Sequence, residues 1–173
     1  VGDHVQLSGG AVSLFDSTVI TITLIDRDMN ELKRLIVNLA NDVSTTFLVA
    51  SSNAAKDMVG NFLVAVPNGN AMQASSFVRD STSPSLIAYT LNLNSGALLL
   101  TFSETVNSSS LDASRIDIQA AGASSALKYS LSGYLSRSEN NSVNINVTLK
   151  TVDLNNLKLL IPSGLVNSVN STY

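Results

Sequence analysis

One stretch of this chain is written twice, about 125 positions apart. Val5-Gln6-Leu7-Ser8-Gly9 returns as Tyr129-Ser130-Leu131-Ser132-Gly133, and Asp28-Met29-Asn30-Glu31-Leu32-Lys33 returns as Asp153-Leu154-Asn155-Asn156-Leu157-Lys158. Between these anchors the alternating stretch Val19 to Leu24 is matched by Val143 to Leu149. Each copy runs on to an aromatic after Ser or Thr, Phe47 in the first and Tyr173 in the second. The period is the length of one β-sandwich with its connections. The chain then holds the later part of one copy, residues 1–79, and the earlier part of another, residues 80–173. A counterpart of Pro84 through Gln119 is missing before the first copy, and one of Leu48 through Phe77 is missing after the second. Val1 and Tyr173 both fall inside patterned sequence, as expected of a piece of a longer polypeptide.

Period-two alternation marks the strands. In Val143-Asn144-Ile145-Asn146-Val147-Thr148-Leu149 the apolar side chains face a core and the polar ones face water. Tyr89, Leu91 and Leu93, a turn at Asn94-Ser95-Gly96, then Leu98, Leu100 and Phe102 predict a hairpin of two core strands. Shorter strands are expected at 116–119, 127–131, 46–50, 62–66 and 74–78. One segment in each copy changes period. Met29, Leu32, Leu35, Ile36 and Leu39 recur at helical spacing, with Asp28 and Glu31 placed as a capping box. The counterpart sets Leu154, Leu157, Leu160 and Ile161 on one face before Pro162 and Gly164 end it. Each stripe is expected to pack on its own sandwich, which a short helix needs for stability, with a partner-binding surface as the alternative.

Only 13% of the 173 residues are charged, so solubility rests on abundant Ser, Thr and Asn. That surface is commoner outside cells than inside. A net charge of -3 with scattered Lys and Arg offers no basic stripe for phosphates, which argues against nucleic-acid binding. Cysteine is absent, removing disulfides, thiol catalysis and zinc-thiolate sites together. No apolar run approaches the roughly 18 residues of a membrane span.

Several short motifs fall in a telling order. Asp57-Met58-Val59-Gly60-Asn61 is followed by Asp80-Ser81-Thr82-Ser83-Pro84, then Leu98 to Phe102 with Ser103-Glu104-Thr105-Val106, then Ser110-Leu111. The first resembles the closing turn, and the rest the opening, of a bacterial-type immunoglobulin-like repeat of the S-layer class. The resemblance covers nearly the whole chain, and the order is that of tandem arrays. It implies an all-β fold of immunoglobulin-like β-sandwich units, here with a short crossover helix in each copy. It also implies a protein of long microbial surface arrays that spaces, adheres or polymerises, with no catalysis.

Chemistry is sparse. His4 is the only histidine; with no Cys it cannot form a typical zinc site, and a Ser-His-Asp arrangement would need it held rigidly beside a nucleophile, so catalysis by His4 is not expected. No cofactor is expected. Calcium, which takes about six to eight oxygens, is the alternative use of Asp26, Asp28, Glu31, Asp57, Asp80, Glu104, Asp112 and Asp117, but no compact Asp-x-Asp-x-Asp run occurs. Capping and turn formation account for most of these carboxylates. Four sequons begin at Asn107, Asn140, Asn146 and Asn170, with Asn146 on the wet face of its strand, and these are the expected points of N-glycan attachment in a eukaryotic source.

The expected function is that of a non-enzymatic, extracellular or cell-surface structural subunit. It would form a homo-oligomer or helical filament whose sandwiches are completed by strands from neighbours. Val1, Val5 and Leu7 are the expected strand donors, lying ahead of any partner strand in their own copy. The competing reading is a carbohydrate-binding or adhesive module. The chain has no Trp for sugar stacking, and Tyr134, near a turn, is the candidate ring.

Overall fold

The computed structural model describes residues 4–123 and 127–165 and divides into two compact units, Val1–Ser83 and Pro84–Tyr173. It is mostly strand, in several small antiparallel sheets, with two α-helices.

In the first unit β1 (Gly10–Val12) pairs antiparallel with β2 (Ile22–Leu24), Gly10 opposite Leu24 and Val12 opposite Ile22. Helix α1 (Asp26–Arg34) follows at once. It carries Asp26 and Asp28 in its first turn and Lys33 and Arg34 in its last, the arrangement that opposes the helix dipole. Glu31 and Arg34 form a bidentate exposed pair with N–O distances of 2.8 and 2.6 Å, worth a few tenths of a kcal/mol.

The expected apolar stripe outruns the helix. Beyond Arg34 the chain continues in hydrogen-bonded turns and reaches the left-handed region at Ala40, φ 53°. The capping box expected at Asp28 and Glu31 is absent there. Extended Ile25 is the N-cap, so the helix starts before Asp28, whose side chain is turned to Ser8. A reciprocal box forms instead at a 3-10 turn, where Thr45 N–H donates to the Asp42 carboxylate and Asp42 N–H to the Thr45 hydroxyl.

Strands β3 (Phe47–Leu48) and β4 (Met72–Gln73) form a second small ladder, and single bridges join Ala50 to Val66 and Lys56 to Phe62. The strand expected at 74–78 is displaced. Pairing occupies Met72–Gln73 and ends when Ala74 N–H reaches Thr46 O, before the two serines at 75 and 76. Asp57 closes the Asp-x-x-Gly-Asn turn by accepting from the Val59 and Asn61 N–H groups and from the Asn61 amide, with Gly60 at φ 94°.

The second unit carries a four-stranded antiparallel sheet in the order β5 (Leu86–Asn92), β6 (Ala97–Val106), β10 (Ser142–Leu149), β9 (Tyr134–Arg137). Two more strands, β7 (Asp117–Gln119) and β8 (Lys128–Ser130), pair with each other. The expected hairpin at 94–96 is present, with Asn92 opposite Ala97 and Gly96 at φ 72°. The expected phase of β10 holds: Ile145, Val147 and Leu149 are buried and Asn144 and Asn146 exposed. Leu98 and Leu100 of β6, Ile118 of β7, Leu131, Leu157 of helix α2 (Thr151–Leu159) and Leu165 complete one core. Gly164, φ 88°, ends the 3-10 turn that follows α2.

Candidate functional site: an unpaired sheet edge

The written-out repeat is a structural repeat. In the second unit the Asp153 carboxylate is fully buried and accepts from the Ser132 N–H (3.0 Å), the Ser132 hydroxyl (3.1 Å) and the Tyr129 hydroxyl (2.8 Å). In the first unit Asp28 accepts from the Ser8 N–H (2.6 Å) and the Ser8 hydroxyl (2.7 Å). These contacts fasten the segment before the first repeat strand to the opening turn of the helix. Several donors on one carboxylate favour its charged form, and the Asp28 carboxyl is held below its ordinary value, first by the Ser8 hydroxyl and then by the Ser8 N–H. The strand register repeats as well: Gly10 opposite Leu24 corresponds to Tyr134 opposite Leu149. Both aspartates were matched by the sequence repeat, but their role as latches was legible only once Ser8 and Ser132 were seen opposite them.

Equivalent strands then meet different fates. Ile20 and Ile22 of the first unit correspond to Ile145 and Val147 of the second. The former pair is 55% and 52% exposed and the latter pair 0%. In the second unit β6 pairs with β10, setting Leu100 opposite Ile145 and Leu98 opposite Val147, and Ile118, Leu131, Leu157 and Leu165 share their core. Among the described residues β2 pairs only with β1, and its other edge faces no strand. Asp28 is the only buried residue among the described residues of the first unit, and every buried apolar residue belongs to the second. A row of unpaired backbone N–H and C=O groups beside exposed β-branched side chains is a template for strand addition.

No family model, curated protein or solved structure matches the chain.

The remaining candidate residues are placed as follows. Asn107, Asn140 and Asn146 are exposed, and Asn170 lies outside the described residues. Ser109 donates its hydroxyl to Asn107 Oδ1 at 2.7 Å. Buried Ser108 donates to Glu139 O and accepts from Arg137, which ties the Asn107 loop to the turn carrying Asn140. Of the expected donor strand, Val1 lies outside the described residues, and Val5 and Leu7 take no strand. Tyr134 is half-buried, with the Arg137 guanidinium 5.9 Å from its ring centre. His4 is exposed, and Asp26 is exposed while Asp28 is committed to Ser8, so these two carboxylates do not converge. Among the described residues no group of three or more His, Asp or Glu side chains is placed to hold a metal ion. No helix among them is long and apolar enough to cross a membrane.

Proposed function

We propose that this chain is a non-catalytic structural module of an extracellular or cell-surface array or filament, built from immunoglobulin-like sandwich repeats completed by strands from neighbouring repeats. One observation carries the reading: the first unit buries no apolar residue among those described, while its repeat counterpart in the second unit sits in a core. A unit without a core has little to offset its chain entropy, roughly 1–2 kcal/mol per ordered residue. Apolar cover from outside supplies the missing term. The contribution of Ile118 and Leu131 to the core that lies on the β5–β6–β10–β9 sheet supports the sandwich architecture. The surface of Ser, Thr and Asn with three exposed sequons supports an extracellular setting.

Electron microscopy of the native assembly tests the reading. Regular filaments or a lattice containing this chain are expected. A monodisperse soluble protein in the native material, with no assembled form, would overturn it.

A further inference from the structure

The exposed edge of β2 has a covered twin in the same chain, and the twin identifies what fits. On β10 the occupant is β6, held antiparallel with Leu100 opposite Ile145, Leu99 opposite Asn146, Leu98 opposite Val147 and Ala97 opposite Thr148. It is backed by β5 through the Asn94-Ser95-Gly96 turn. Transferred to the first unit, that register sets a β6-like strand with leucines opposite Ile20 and Ile22 and a small residue opposite Thr23. The acceptor is suited to it. Thr18-Val19-Ile20-Thr21-Ile22-Thr23-Leu24-Ile25 contains no charge and no proline, two of the devices by which a permanently free edge is protected.

We propose that β2 is an acceptor strand, completed antiparallel by a β-hairpin of the β5–β6 kind that belongs to a further repeat copy. The proposal rests on the structural reading above and names the partner for that site. Counting excludes the chain's own hairpin as a sufficient source. The described residues hold one β5–β6 hairpin and two acceptor strands, β2 and β10, and β10 already holds the hairpin. Copies of these residues that exchanged hairpins would leave one acceptor open in each copy. By the same correspondence Val5–Leu7 matches Tyr129–Leu131, which overlaps β8, the strand that pairs with β7.

The test uses the full chain and a synthetic peptide of residues 84–107, with amide hydrogen exchange read by mass spectrometry. At saturating peptide, exchange at residues 20–24 is expected to slow at least tenfold while residues 145–149 stay unchanged. The peptide carrying L98D and L100D, or the chain carrying Ile22→Asp, should abolish the slowing. Since an isolated hairpin is marginally stable, a second arm places an extra copy of residues 84–127 ahead of Val1 in one polypeptide. That chain is expected to protect 20–24 and to gain a cooperative melting transition, both lost when only the added copy carries the two Asp substitutions. Absence of protection in both arms overturns the proposal, as does equal protection by the Asp-bearing versions or protection at 145–149 in place of 20–24. Protection that appears in the chain alone and rises with its concentration makes a second copy of this chain the occupant and also overturns it. Filaments in the microscope with β2 still exchanging freely would sink this proposal while leaving the structural function standing.

Discussion

Ser8 and Asp28 stand in the same relation as Ser132 and Asp153: one serine gives both its amide N–H and its hydroxyl to a single buried carboxylate on the first turn of a helix. In each unit a residue before the first repeat strand is thereby fixed to the element after the second. The second unit adds Tyr129 as a further donor, where the first has Val5.

Asp153→Ala should destabilise the second unit by about 1–3 kcal/mol, because it removes the buried carboxylate that accepts from the Ser132 N–H and hydroxyl and from the Tyr129 hydroxyl. Asp153→Asn, which keeps one acceptor oxygen, should cost less. Urea unfolding followed by tyrosine fluorescence measures both.

The first latch should be acid-sensitive. Asp28 is held below the ordinary value of 3.8 by the Ser8 hydroxyl, then the Ser8 N–H, with Gly9 N–H and Arg27 adding to them and burial opposing. A folded value below the unfolded one means the latch contributes fully above the ordinary carboxylate range and is lost as pH falls through the depressed folded value. Carboxyl carbon NMR should show Asp28 titrating below 3.8, and Ser8→Ala should move the midpoint upward. An unchanged midpoint in that variant would remove Ser8 as the cause.

One position of the repeat should tolerate a charge in one unit and not in the other. Val147→Asp, like Ile145→Asp or Leu100→Asp, puts an unpaired charge into the core and should unfold the second unit, since desolvation costs several kcal/mol against a total of roughly 5–15. Asn144→Asp should be nearly silent, because the side chain is exposed and keeps an oxygen to accept from Thr101. Ile22→Asp, at the position equivalent to Val147, should change the melting temperature of the uncomplexed chain by no more than a degree or two, corresponding to about 0.5 kcal/mol or less. Thermal melts of the set read the contrast directly.

Expressed in a eukaryotic secretory host, the chain should carry N-glycan at Asn146 and at one or both of Asn107 and Asn140, all exposed. Enzymatic deglycosylation and peptide mass mapping check this. Occupancy absent from all three would show that exposure and the sequon do not suffice here.

Gly164→Ala should cost about 1 kcal/mol. Its φ of 88° is unfavourable for a side chain, and nothing lies within 4 Å of the added Cβ, so the cost is conformational. Denaturant midpoints of the variant against the parent give the value.

The amino-acid sequence by itself determined the repeat, the faces of β10, the β5–β6 hairpin and the presence of a helix after each repeat strand. These are local matters: a side-chain period and a turn composition act over a few residues wherever they occur. Tertiary structure alone decided the rest. Asp28 with Glu31 has the spacing of a cap, yet a carboxylate is drawn to whatever donors lie nearest in space, and Ser8 comes from twenty positions away. Nor could alternation distinguish Ile22 from Val147. Both belong to the same apolar phase of the same motif, but burial depends on what distant segments bring to that face, and β6, Ile118, Leu131, Leu157 and Leu165 share a core with Val147 alone.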